Sequence, residues 1–388
     1  MPGRSFRVCR IAGIPVGVNP WWLVIVALIT WELGASYYPS AIPRVAPVAA
    51  YGLGLLSVLL LFASIVAHEF GHAIVARRRG VEVEEIDLWL LGGVSRMSGR
   101  PQTPEDEFSY ALAGPAVTAA VALVFGVLAY LVAGAGHGTL KAVINYEFEM
   151  NLMLLTFNLV PAFPLDGGRA VRAVLWRRSG DIVAATERAA GVGRGFGYLL
   201  IGFGVLLTLD GWVIGLWLVV IGVFLVGAAG AERYQEEVVA AFTGTPVTDL
   251  MSTPVISIPS TSSVADAQSY FARHRYSAFA VTDSCGRAVG LLGIEQVEHT
   301  RPSERAHVSV GEVADHDPKL LIGTGEDVAE LLGQPAFTRT GHLVVVDASG
   351  RPIGIISRTD VQRAIRAARL RQNGRTDGVL THSGQKPR

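Results

Sequence analysis

His68, Glu69 and His72 stand together in the run His68-Glu69-Phe70-Gly71-His72, which fits the pattern H-E-x-x-H. On a helix, positions four apart share one face, about one turn from each other. Two imidazoles at that spacing can grip one Zn²⁺, and the glutamate beside the first can act as general base toward a water at the metal. A catalytic zinc takes three protein ligands and keeps a position open, so a third ligand is required. Asp166 is the best candidate. It follows an apolar run in the segment Asn158-Leu159-Val160-Pro161-Ala162-Phe163-Pro164-Leu165-Asp166-Gly167-Gly168-Arg169, where Pro and Gly break the helix. Broken backbone at membrane depth is tolerated where it lines a cavity or packs in protein. An ionisable group in a span costs roughly 2.5–3.5 kcal/mol at the bilayer centre unless it is satisfied. Glu69 would take a proton from water and pass it to a leaving amine. The Asn158 amide, eight residues before Asp166, could bond a substrate backbone or a developing oxyanion. Each has a plain structural alternative: a helix-stop aspartate with turn glycines at 166, and a packing or interhelical hydrogen bond at 158.

The surrounding elements decide where such a site would sit. Of 388 residues, 50% are hydrophobic and only 17% charged, against about a quarter charged in an average soluble chain. The formal net charge is zero, so nothing in the composition favours nucleic acid as a partner. Cys9 and Cys285 fit no metal spacing and read as unpaired thiols in a reducing compartment. Apolar runs at 20–35, 47–73, 109–133, 148–164, 194–209 and 211–229 predict six spans. The first carries Trp21, Trp22 and Trp31 like interface anchors, lacks a clean cleavage site, and is expected to be retained. Arginines cluster at 4–10, 77–79, 169–178 and 188–194, while the opposite loops hold only Arg44 and Lys141. By the positive-inside rule, both termini, the end of the HEFGH helix and the Asp166 loop face the cytoplasm of a cell membrane. The preference for Arg over Lys resembles a high-GC bacterial coding bias. Within 81–100, the alternation Val81-Glu82-Val83-Glu84-Glu85-Ile86-Asp87-Leu88 and the break at Gly92-Gly93 predict a β-hairpin at the membrane face.

After Glu232 the chain becomes less apolar and repeats itself. Ala278-Phe279-Ala280-Val281-Thr282-Asp283 with Gly290-Leu291-Leu292 is matched about 64 residues later by Leu343-Val344-Val345-Val346-Asp347 with Gly354-Ile355-Ile356. A repeat of this size predicts two α/β modules that bury a face against each other. The expected organisation is a polytopic α-helical membrane domain at 1–235 with a small β-hairpin, modules at 245–302 and 307–368, and a polar, disordered tail at 371–388.

HEFGH after an apolar run, then Gly114-Pro115, then N-x-x-P-x-x-P-L-D-G-G-R at 158–169 resembles the site-2 protease family (peptidase M50) of intramembrane zinc metalloproteases, over about residues 15–230. The resemblance implies one Zn²⁺ per subunit on His68, His72 and Asp166, with Glu69 as catalytic base and Asn158 positioning substrate. It also implies an edge strand of the 81–100 hairpin that pairs with an unwound substrate. Substrates would be single-pass membrane proteins, such as an anti-sigma factor or membrane-bound regulator, cut in regulated intramembrane proteolysis within the lipid bilayer. The repeats resemble a tandem CBS domain pair, which implies regulation, an adenine nucleotide or homodimerisation. Gly354-Ile355-Ile356-Ser357-Arg358-Thr359-Asp360 fits that family's ribose-binding pattern, pointing to Thr359 and Asp360; Gln296 replaces the aspartate in the first module. A Thr-Asp pair at a helix start is also a good cap. The competing reading is a CBS-regulated membrane metal transporter or channel, with HEFGH and Asp166 holding a transported ion.

Overall fold

The structure is a computed structural model that describes residues 6–89, 92–98, 101–134 and 138–367. It divides into two compact units, 1–236 and 237–388. The first opens with a hairpin, β1 (Phe6–Ile11) and β2 (Ile14–Val18), in a stretch where the sequence shows only its arginine cluster. Helix α1 (Pro20–Glu32) starts on Asn19, whose side chain accepts from the Trp21 N–H, with Pro20 at its first position. A π-helical turn at Leu33–Tyr37 and the short α2 (Tyr38–Ala41) lead into α3 (Pro47–Arg78). Strands β3 (Glu82–Trp89) and β4 (Gly92–Ser98) form the expected hairpin. Then come α4 (Pro104–Val132), α5 (Gly138–Asn158), α6 (Asp166–Ser179), α7 (Ile182–Leu209) and α8 (Ile214–Phe242).

Among the described residues, five helices are long and apolar enough to cross a membrane: those at 20–41, 47–78, 104–132, 182–209 and 214–242. Their outer faces are apolar and bare; Leu123, Leu131, Leu199 and Leu206 are each more than 60% exposed. Such a surface suits lipid. The remaining expected span is α5, which begins at Gly138 rather than near 148 and ends at Asn158, leaving 159–165 as a loop. The four strands make one sheet in the order β1-β2-β3-β4, with β2 parallel to β3 and β4 at an edge. Ile14, Val16, Val83 and Ile86 of this sheet bury themselves against Phe70, Ala73 and Ala76 of α3. The sheet thus packs on the helix that carries HEFGH.

In the second unit, β5 (Ser257–Pro259), α9 (Val264–His274), β6 (Ala278–Thr282), β7 (Ala288–Gly293) and α10 (Ile294–His299) form one module. After α11 (Val310–Val313), the second follows as β8 (Leu321–Gly323), α12 (Val328–Leu332), α13 (Pro335–Thr340), β9 (His342–Val346), β10 (Pro352–Ser357) and helical residues 358–367. Each sheet runs parallel then antiparallel, in the orders β5-β6-β7 and β8-β9-β10. The modules exchange their leading segments: Ser252 bridges to Ile355 of the second, and Asp315 to Leu291 of the first. Ala280, Leu291, Leu320, Val344 and Ile356 share one core, so the pair folds as a single body. The expected disordered tail from 371 lies outside the described residues.

One buried carboxylate in the membrane half is unexplained by packing. Glu147 and Asn151, one turn apart on α5, are fully buried. Among the described residues neither Glu147 oxygen has a hydrogen-bond partner, nor does Asn151 Oδ1. Leaving such a group unpaired costs about 1–3 kcal/mol. Glu147→Met, of similar length and without the charge, is therefore expected to hold or raise the thermal midpoint of the purified chain in micelles. A clear fall would show that Glu147 has a partner.

Candidate active site

Helix α3 delivers both histidines near its C-terminal end, where Arg77 and Arg78 complement the helix dipole. His68 and His72 are buried, and their Nε2 atoms lie 3.2 Å apart. Asp166 opens α6, whose start is fixed by close packing: a Cβ on Gly167 would collide with the Leu159 and Val160 carbonyls. Its Oδ2 lies 3.2 Å from His68 Nε2 and 3.3 Å from His72 Nε2. The structure thus brings together the three ligands expected from sequence, and these three form the cluster fit for a metal among the described residues.

The protons decide what that convergence means. His72 Nδ1–H donates to the Tyr110 carbonyl at 2.8 Å, which in the neutral imidazole leaves Nε2 as a bare lone pair. His68 Nδ1 lies 2.8 Å from Thr118 Oγ1, and in the tautomer that donates there its Nε2 is bare as well. Three electron-rich atoms then face one another with no hydrogen between them. Ligands about 2.0–2.1 Å from a tetrahedral zinc stand roughly 3.3 Å from each other, which is the spacing found. The donor set, two imidazoles and a carboxylate, also suits zinc.

Helix α4 forms the floor. A Cβ on Gly114 would come within 2.5 Å of His68 Nε2 and would also strike His72 Nε2. A Cβ on Gly71 would meet the Ala113 carbonyl, so α3 and α4 cross at glycine on both sides. Pro115 inside α4 supplies no N–H to the turn before it. The carbonyl left without that N–H is that of Ala111, next to the Tyr110 carbonyl that holds His72, and the Tyr110 ring packs 4.7 Å from the imidazole. Glu69 is half-buried, and its charge reaches His72. Asn158 closes α5, half-buried, directly before the Leu159 and Val160 carbonyls that pack on Gly167.

The sequence reading did not find Tyr110 and Thr118. Thr118 leaves one trace, a hydroxyl inside an otherwise apolar run. Tyr110 acts through its backbone and leaves none. In the second unit, Thr359 is exposed and Asp360 is engaged in a cap. Asp360 Oδ2 accepts from the Ser357 N–H at 2.9 Å, and Ser252 Oγ donates to Oδ1 at 3.1 Å. Gln296 does the same job in the first module, accepting from the Gly293 N–H at 3.0 Å. Gly114→Ala should yield a folded chain that retains no zinc after gel filtration, measured by atomic emission. Alanine favours helix over glycine by about 1 kcal/mol, so loss of metal would not reflect loss of α4. A full equivalent of zinc in that variant would refute the site.

Known proteins resemble both units of the chain. The model of peptidase family M50 matches residues 56–149 and 133–202, and the CBS domain model matches 247–297 and 323–367. Rip3 of Mycobacterium tuberculosis, named as a zinc metalloprotease, is 38% identical over 94% of this chain and 93% of its own length. A protein of Synechocystis, also named as a zinc metalloprotease, is 31% identical over 94% of this chain and 96% of its own. The solved site-2 protease of Methanocaldococcus jannaschii is 30% identical, covering 59% of this chain and 95% of its own, at a TM-score of 0.40. The chain belongs to peptidase family M50 and is a zinc metalloprotease of the site-2 type, with several membrane-spanning helices and a C-terminal CBS pair.

Proposed function

We propose that His68, His72 and Asp166 hold the catalytic zinc and that Glu69 is the base of an endopeptidase that cuts membrane-spanning proteins. The observation that carries this is the convergence of two Nε2 atoms and one carboxylate oxygen within 3.3 Å over the open face of Gly114. When bound, the ion supplies Lewis acidity to a water and to the scissile carbonyl. The residues of the chain supply the rest. Glu69 accepts the proton of the attacking water and returns it to the leaving amine. The Asn158 amide donates to substrate backbone at the start of the loop that carries Asp166. Tyr110 and Thr118 fix the two imidazoles, as outer partners of metal-bound histidines do. A peptide bond inside a helix is shielded, so the substrate must be extended, and β4 offers an edge on which it can pair.

The ends of α3 and α5 and the starts of α4 and α6 carry the site. Arg77, Arg78 and Arg79 lie at the end of α3 and Arg169 in the first turn of α6, which supports a site opening to the cytoplasm of a cell membrane. Regulated intramembrane proteolysis of a single-pass regulator, such as an anti-sigma factor, fits this arrangement. The transporter alternative gives way to the metalloprotease family, and Glu69 is a group that metal transport does not need. Glu69→Gln should retain zinc while cleavage of a membrane-embedded substrate in proteoliposomes falls about 10²–10⁴-fold. Unchanged cleavage would remove Glu69 from the mechanism.

The CBS pair is proposed to regulate this activity by binding an adenine nucleotide, with Thr359 and Asp360 at the ribose, and to mediate homodimerisation. The support is the pattern at 354–360, since carboxylate-to-ribose bonding is sound chemistry. Titration calorimetry of the full chain with ATP, ADP and AMP should show heat with at least one, lost in Asp360→Ala. No heat with any of them would leave dimerisation alone.

A further inference from the structure

Helix α6 has to hold more than Asp166. Six residues on, Arg172 is 7% exposed and lies among three carboxylates from other helices. Its Nε donates to Glu107 Oε1 at 2.6 Å, and its Nη2 contacts the same oxygen. Its Nη1 donates to Glu232 Oε1 at 3.1 Å and lies 3.9 Å from Glu236 Oε2. Glu107, on α4, is 1% exposed. Glu232 and Glu236 are on α8. The guanidinium also lies 5.3 Å over the ring of Phe163, which is fully buried and sits three residues before Asp166. One side chain therefore ties together four things: the helix that presents Asp166, the loop that leads into it, the helix that floors the histidines, and the last helix of the first unit.

We infer that Arg172 is a positioning residue for the metal site, fixed by Glu107 and Glu232 so that α6 delivers the Asp166 carboxylate to the two Nε2 atoms. This rests on the zinc site proposed above. The physical reasons are geometric. Asp166 is the first residue of its helix, and its own turn is held by the close packing of Gly167 and Gly168 on residues 159–163 and by the Arg169 guanidinium, 5.5 Å over the Tyr110 ring, so the rest of the helix is fixed by Arg172. A rigid helix carries a displacement at Arg172 to its first turn less than two turns away. Only a planar fork can serve Glu107 and Glu232 from different edges while its face rests on Phe163. A lysine keeps the charge and loses the fork. Breaking a buried pair on one side also leaves the other charge uncompensated, so Glu107 would draw the guanidinium, and α6 with it, toward α4 when Glu232 is neutralised.

The test uses the purified full chain in micelles, loaded with Co²⁺ as a reporter of ligand geometry, with zinc affinity measured by chelator competition. Arg172→Lys and Glu232→Gln are expected to weaken zinc about 10–100-fold, the range seen when outer partners of metal ligands are removed, and to change the visible Co²⁺ spectrum while helical content is kept. Glu187→Gln removes an ion pair to Arg233 of 3.7 Å that does not involve α6, and should leave both readouts at the parent values. A lowered melting temperature with unchanged affinity and spectrum in Arg172→Lys and Glu232→Gln would make the cluster merely structural and overturn the inference. Equal changes in Glu187→Gln would overturn it too. A parent chain that binds neither Co²⁺ nor Zn²⁺ would bring down the metal site itself, and is distinguished from these outcomes by the parent measurement alone.

Discussion

The constraint on which the membrane half depends is mutual repulsion among three buried lone-pair donors. His68 Nε2, His72 Nε2 and Asp166 Oδ2 are brought within 3.3 Å by three different commitments of the backbone. A helix turn spaces the histidines. A broken loop and a new helix deliver the aspartate. A glycine on α4 clears the volume between them. Without a cation the arrangement would relax, since each donor would gain by turning toward water or a hydrogen-bond donor. The second ring nitrogens prevent this. They are already engaged, at Tyr110 and Thr118, so the imidazoles are oriented before any ion arrives.

That preorganisation explains features that otherwise look unrelated. Pro115 in mid-helix gives no N–H to the Ala111 carbonyl, one residue after the Tyr110 carbonyl that accepts from His72. The glycine pair after Asp166 weakens the start of a helix, yet it permits that helix to begin against the carbonyls of the preceding loop. The sheet packed on the C-terminal half of α3 covers Phe70, Ala73 and Ala76, apolar positions beside His68 and His72, and so covers the other side of the HEFGH turn.

Much of this was legible in the sequence, and the limits have physical causes. The histidine pair was readable because helix periodicity converts a spacing of four into proximity. The helix break before Asp166 was readable because Pro and Gly interrupt an apolar run. Tyr110 and Thr118 were not, because their contacts span 38 and 50 residues and one of them is made by backbone. The N-terminal hairpin was missed because Arg7 and Arg10 were counted only as part of an arginine cluster, although Phe6–Ile11 is strand that pairs with Ile14–Val18. The fifth helix was placed late because Lys141, Asn145, Glu147 and Glu149 interrupt its apolar signal. In the CBS pair the repeat itself was plain from sequence. The exchange of leading segments at Ser252 and Asp315 was not, since pairing of this kind depends on tertiary register.

Asp360 and Gln296 show how one position can serve two ends. Both close the first turn of the helix that follows the last strand of their module, and both accept from the N–H of the residue that begins that turn. The amide satisfies this need as well as the carboxylate does, so a cap alone does not explain why one module has Asp and the other Gln. The difference is charge. Asp360 also accepts from Ser252, in the segment the first module sends across to the second, and Arg363 lies 3.8 Å from the same oxygen. A ligand hydroxyl that took over the Ser252 bond would act on the very strand exchange that joins the two modules. Under the proposed nucleotide binding, ligand and module assembly would share one carboxylate oxygen, and the neutral amide of the first module offers no such charge.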